Sequence, residues 1–180
     1  MVTYQLWSKT RQREGQSITR LVHRAAFLFF WALAFGLSSV SAASFEVLHQ
    51  FAGPEGETPF EAPVLDGSGA LYGTATGGGD GGLGILYRYQ SGTFTVLHHF
   101  MGGAGDGSIP RGALLADSLG NLYGTTEVGG SSNLGVVYRW DTEQGVQVLK
   151  EFTGPDGVHP RGGVIRDAAG NRLMSPICAG

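Results

Sequence analysis

The chain has 180 residues, 42% of them hydrophobic and 15% charged, with a formal charge of −3, 31 glycines and a single cysteine. One cysteine, Cys178, excludes a disulfide within the chain, so burial of apolar surface must hold any fold together.

The first segment has its own composition. Lys9, Arg11, Arg13, Arg20 and Arg24 stand against the single acid Glu14, and an uncharged run from Ala25 to Leu37 leads into the small residues Ser38 to Ser44. That order is a secretory signal peptide's: the run is short for a hydrocarbon layer that takes about twenty helical residues, and Val40-Ser41-Ala42 or Ser41-Ala42-Ala43 offers a small-residue cleavage site. Residues 1–43 are therefore expected to be a signal helix with a long basic n-region, sending the protein to the periplasm, the cell envelope or the medium. The rival is an uncleaved anchor, since Ala25 to Ala43 carries no charge; translation starting nearer Val22 would account for the long basic stretch. Without the leader seven Lys and Arg face fourteen Asp and Glu, a formal charge of −7. Those seven cations are scattered, which excludes the clustered phosphate contacts of a nucleic-acid binder.

From Phe45 onward the chain repeats itself at a period of about fifty residues. Leu71-Tyr72-Gly73-Thr74 returns as Leu122-Tyr123-Gly124-Thr125. Repeat 1 occupies 44–93, repeat 2 occupies 94–145, and an incomplete repeat 3 fills 146–180.

Each repeat reads as four short strands. The first alternates with period two, placing Phe45, Val47, His49 and Phe51 on one face, as it does Phe94, Val96, His98 and Phe100, and then Val146, Val148, Lys150 and Phe152. A position that accepts His or Lys belongs near a solvent-exposed edge. A Gly/Pro-rich loop follows, with its proline at Pro59, Pro110 and Pro160. The second strand is Ala62 to Leu65, Ala113 to Ala116 or Gly163 to Ile165, and it ends in a tight turn led by Asp66, Asp117 or Asp167. In that turn Asp bonds forward amides and the fourth residue, Gly69, Gly120 or Gly170, takes positive φ. The return strand is Ala70 to Ala75 or Asn121 to Thr126, followed by a glycine loop, Gly77 to Gly82 or Gly129 to Asn133. The last strand, Ile85-Leu86-Tyr87 or Val136-Val137-Tyr138, is apolar without alternation, so both of its faces are covered.

Two-sided burial and four strands in about fifty residues predict an all-β fold of tandem four-stranded antiparallel repeats, a partial β-propeller-like array of about 2.6 blades. Sandwich or solenoid packing of the same strands is the alternative. No segment after the leader has a helical apolar period.

The strings Val-Leu-His-x-Phe at 47–51 and 96–100, Asp-x-x-Gly-Asn-Leu-Tyr-Gly-Thr-Thr at 117–126 and Gly-Val-Val-Tyr at 135–138 resemble the GloVer tandem repeat, the Gloeobacter/Verrucomicrobia type. The resemblance spans Phe45 to Asn171 and implies an extracellular or envelope-associated protein of many tandem copies, with no catalytic residues to carry over. The pattern departs at its end, where Arg172-Leu173-Met174-Ser175-Pro176 replaces Leu-Tyr-Gly-Thr-Thr. A truncated or frameshifted longer repeat protein is the leading expectation, and self-association through exposed blade faces is the rival.

Candidate chemistry is sparse, and no catalytic, cofactor or metal residue is assigned. Glu55, Glu57 and Glu61 cluster in the first Gly/Pro loop, where solvated loop charge is the simpler reading than a carboxylate pair. His49, His98, His99 and His159 are poor metal ligands as a set, since His98 and His99 are adjacent on a strand and point to opposite faces. Asp80, Asp106 and Asp156 lie in glycine-rich loops without a calcium-loop spacing, and Gly77-Gly78-Gly79 lacks the Lys and Ser/Thr of a phosphate loop. Tyr72, Tyr87, Tyr123, Tyr138 and Trp140 fit a core better than a sugar-stacking surface. The function expected is an exported β-repeat module for binding or surface structure, not an enzyme, with an extracellular or envelope ligand, no cofactor and no nucleic acid. A propeller-type carbohydrate-active enzyme and a non-functional fragment of a longer repeat protein are the alternatives.

Overall fold

The computed structural model describes residues 44–167 and 172–174. The expected signal helix and the third Asp-led turn at 168–170 lie outside them. The chain divides into two compact units, Met1–Glu46 and Val47–Gly180. Of the first, only residues 44–46 are described; they are exposed and form no strand.

The second unit is all-β. Its strands are β1 (Glu57–Pro59), β2 (Val64–Leu65), β3 (Leu71–Gly77), β4 (Ile85–Gln90), β5 (Thr93–His99), β6 (Gly107–Pro110), β7 (Leu115–Ala116), β8 (Leu122–Gly129), β9 (Val136–Asp141), β10 (Gly145–Glu151), β11 (Val164–Arg166) and β12 (Arg172–Met174). Sheet one runs β1-β3-β4-β5 with β2 also on β3, and sheet two repeats this as β6-β8-β9-β10 with β7 on β8. A two-stranded pair, β11-β12, begins the third copy. Every pairing among these strands is antiparallel.

The sheets are offset from the sequence repeats. The outer strand of sheet one, β5, is the first strand of repeat 2, and β10 plays the same part for sheet two. Phe45 to Phe51, expected as a strand, is not one: its counterparts pair with the last strand of the copy before, and among the described residues Phe45 to Phe51 has no such strand beside it. Instead Phe51 sets its ring edge-on to Tyr87 and Phe94, while His49 stacks on Phe94 at 3.6 Å.

Each sheet has five strands rather than the four expected, because its inner edge is made twice. β2 pairs with the start of β3, and β1, read from its Gly and Pro content as loop, pairs with the end of it. The register is unbroken, but Thr58 in β1 and Ile109 in β6 are left out of the pairing. Both have left-handed φ, as does His159 ahead of the third proline. This kink turns the Ile109 amide onto the Leu83 carbonyl at 2.8 Å and the His159 amide onto Leu134 at 2.8 Å, tying each copy to the one before.

Side-chain parity does not hold along the whole of β5 and β10. Leu97 in β5 and Leu149 in β10 are skipped in the pairing, and each makes a bulge that moves every later side chain to the other face. Phe94 and Val96 therefore pack with Ala75, Ile85 and Tyr87, whereas Phe100 joins Leu86 on the opposite side of the sheet.

The sheets stack face to face. Leu86 of sheet one, with Tyr72 and Leu97 beside it, meets Leu122, Tyr138 and Trp140 of sheet two. The far face of sheet two offers Tyr123 and Val137 to Phe152 and Val164 of the third copy. Ile85, Leu86, Tyr87, Val136, Val137 and Tyr138 are all buried, as their lack of alternation predicts. The Asp-led turns also form as expected: Asp66 Oδ1 accepts from the Ser68 and Ala70 amides and Asp117 Oδ1 from Leu119 and Asn121, with Gly69 and Gly120 both at φ 85°.

Candidate functional site

The seams between copies and the Gly/Pro loops beside them hold a repeated set of ion pairs. At the middle position of the segment that opens each repeat stands a His or Lys, and in the Gly/Pro loop that follows stands an acid facing it. His49 Nε2 lies 3.6 Å from Glu55, His98 Nε2 donates to Asp106 Oδ1 at 3.1 Å, and Lys150 Nζ donates to Asp156. The same carboxylates close the loop on its own backbone: Asp106 accepts from the Met101 amide at 2.8 Å and Asp156 from the Thr153 amide at 2.9 Å. Burial works against the Asp106 carboxylate, but the His98 ring and the Met101 and Gly107 amides outweigh it and hold its pKa below the ordinary value. Lys150, with the Thr153 amide, brings Asp156 down to about 2.

A second cluster crosses the seam between copies two and three. Glu127 receives Arg111 at 3.2 Å and the Nε and Nη2 of Arg161 at 2.9 and 2.6 Å, so successive copies grip one carboxylate from the residue after their proline. Phe60 holds the same place in copy one and lies under the Arg111 guanidinium, 4.9 Å from it. The Thr125 hydroxyl donates to the Gly162 carbonyl across this seam at 2.9 Å.

The glycine loops lie where they can vary. Their ends are anchored, the Asp80 amide on His99 Nδ1 at 3.0 Å and the Ser131 amide on Glu151 at 3.0 Å. Glu151 also takes the Gly105 amide, and the Ser131 contacts lead in holding its pKa down. Between anchors the residues differ, Gly-Gly-Asp-Gly-Gly in one copy and Gly-Ser-Ser-Asn in the other, and most are exposed.

The residues singled out in the sequence fall into these structural roles. Glu55 faces His49, and Glu57 stands on β1 opposite Gly77. His98 and His99 turn to different acids, Asp106 and Asp80. Asp106 and Asp156 serve turns and ion pairs. Tyr87, Tyr123, Tyr138 and Trp140 are buried, and Tyr72 lies against Trp140 with ring centres 6.4 Å apart. Among the described residues no group of three His, Cys, Asp or Glu is placed to hold a metal ion. The repeated pairing of His or Lys with an acid is hidden in the sequence because its members change identity from copy to copy; the one signal is that the middle strand position accepts His or Lys.

An apolar cleft of about 230 Å³ opens on the outer face of sheet one, lined by Pro63, Leu71, Tyr87, Tyr89 and Phe94 with residues 47–51 over it.

Near-identical sheets at a fixed period are what a tandem repeat requires, and the sequence profile of the Gloeobacter/Verrucomicrobia repeat matches residues 34–175. The chain belongs to that family. The match covers both complete copies of the Gloeobacter/Verrucomicrobia repeat and the start of the third. No curated protein matches the sequence.

Proposed function

We propose that the chain is an exported repeat module that binds an extracellular or envelope ligand or serves as surface structure, and that it is not an enzyme. The observation that carries this reading is where the polar residues are used. Asp106, Asp156, Glu127, Glu151 and the histidines facing acids are each engaged in holding loops or joining copies, while the exposed, variable residues sit in glycine loops at the ends of sheets. The sheets, stacked face to face and covered on both sides, are read as blades of a partial propeller of about 2.6 repeats. The basic-then-apolar segment before Ala43 supports export.

Two measurements test it. N-terminal sequencing of the chain recovered from the envelope or medium should begin at Ala43 or Ser44; a chain beginning before Ala42 contradicts cleavage, and a chain confined to the cytoplasm contradicts export. The full chain should co-sediment with purified envelope polysaccharide and lose that affinity when Ser131, Ser132 and Asn133 are all changed to glycine. Release of reducing ends from the polysaccharide would replace the binding module with an enzyme.

A further inference from the structure

Among the described residues, two surfaces at opposite sides of the stack match each other. Sheet two presents Leu114, Leu122, Tyr138, Trp140 and Val146 to sheet one, which covers them with Val64, Tyr72, Leu86 and Leu97. The counterparts of the covered set in sheet one are Pro63, Leu71, Tyr87, Tyr89 and Phe94, the residues that line the 230 Å³ cleft. What fits such a face is therefore visible one seam away: the opposite face of another repeat. At the other end of the stack, Val164 occupies the place of Pro63 and Leu114 and packs into the seam with sheet two. Its neighbour Ile165 occupies the place of Val64 and Leu115, both of which pack into seams, yet Ile165 is 54% exposed. Polar groups match as well. Arg161, with half its side chain exposed, and Phe60, 60% exposed, hold the positions that form the Arg111–Phe60 contact at the first seam.

We infer that the Ile165 face of one chain docks in the Pro63–Leu71–Tyr89–Phe94 cleft of a second copy, continuing the stack head to tail, with Arg161 set against the partner's Phe60. Such a contact is heterologous, so it propagates into a ring or a filament rather than stopping at a two-fold dimer. The inference rests on reading the chain as stacked repeats. Residues 47–51 lie over the cleft without strand pairing, and Phe51 packs on Tyr87 in the place that Phe100 and Phe152 hold in the other seams, so the second copy docks beside it.

The test uses the full chain with Cys178→Ser as background. A Tyr89→Cys protein mixed with an Ile165→Cys protein should form a disulfide heterodimer on mild oxidation, on the order of tenfold above a mixture in which Leu119→Cys, on an exposed hairpin turn, replaces Ile165→Cys. Equal yields in the two mixtures overturn the docking. Ile165→Glu, on an exposed position, should shift the parent chain to lower mass in sedimentation velocity; an unchanged mass distribution, as association through the leader or another surface would leave, overturns it too. A β-rich far-ultraviolet spectrum in both variants confines either failure to the docking, whereas a helical one removes the stacked repeats as well.

Discussion

Gly84 lies flat against the ring of Pro110, so close that a Cβ on the glycine would come within 2.5 Å of the proline Cδ. Gly135 meets Pro160 in the same way at 2.6 Å. The glycine ends the loop of one copy and the proline follows the kinked residue of the next, so the contact joins two copies at their backbones. Gly84 has φ +104° and Gly135 +98°, and the Phe100 and Phe152 amides donate to their carbonyls at 3.0 Å.

Gly84→Ala should thus lose stability twice. The positive φ costs a non-glycine residue about 1–3 kcal/mol, and the overpacked seam adds a penalty of about 1–3 kcal/mol. Gly92→Ala, at φ +81° with nothing within 4 Å of its Cβ, carries only the first. Urea midpoints of the two variants at equal m-value separate the terms. Equal losses would mean that Pro110 yields without cost.

The glycine inside Leu-Tyr-Gly-Thr has a different cause. Gly73 and Gly124 sit in ordinary strands, but their cross-strand partners Tyr87 and Tyr138 lay the phenol end over them, within 2.3 and 2.5 Å of where a Cβ would stand. Gly124→Ala should cost about 1–3 kcal/mol by overpacking. In a Tyr138→Val background the same change should cost less, with a coupling of at least about 0.5 kcal/mol in a double-mutant cycle. Additive losses would show that the ring and the glycine are independent.

How far the fold could be read from the sequence follows from these contacts. The turn at Asp66 and the return strand after it, expected as Ala70 to Ala75 and found as Leu71–Gly77, announce themselves because Asp and Gly fix a tight turn within a few residues and the chain runs back from it. The bulges at Leu97 and Leu149 leave no such mark: Phe94, Val96, His98 and Phe100 alternate without a break, and only the pairing with Leu86 and Tyr87 shows that one residue is extra. β1 and β6 were hidden for a related reason. They are strands of three and four residues that close on a proline and run against the glycine-ended tail of β3 or β8, so Gly and Pro punctuate them as loop and too few residues remain to show an alternation. At the seams, Glu127 gave no local sign that two arginines from successive copies would reach it.

The loop carboxylates predict loss of stability in acid. Asp106 and Asp156 have pKa values lowered in the fold, Asp156 from 3.8 to about 2, so the unfolded chain takes up protons first as the pH falls. Their stabilisation is complete above the ordinary carboxylate range and is lost between about pH 4 and 2. Thermal midpoints measured across pH 2 to 6 should fall steeply in that window, and less steeply in Asp106→Asn, which starts from a lower midpoint because its single oxygen can accept from only one of the Met101 and Gly107 amides, and which has no carboxylate left to titrate. A parallel fall in the variant would place the acid sensitivity elsewhere.

Tyr138 should respond to the loss of its hydroxyl in the opposite sense to the loss of its ring. The side chain is fully buried between the two sheets, where Phe100 meets its ring at 5.3 Å, yet its hydroxyl finds no hydrogen-bond partner among the described residues. Burial, and then the nearby Asp106 charge, push its pKa above the ordinary tyrosine range, which keeps the phenol neutral. An unpaired buried hydroxyl costs about 1–3 kcal/mol of desolvation, whereas deleting a buried aromatic ring costs about 3–5 kcal/mol. Tyr138→Phe should therefore melt at or above the parent temperature, and Tyr138→Ala far below it, in calorimetric scans of the two variants beside the parent. A destabilised Tyr138→Phe would reveal that the hydroxyl is bonded after all, and would assign the repeated tyrosine a polar role at the seam instead of a purely packing one.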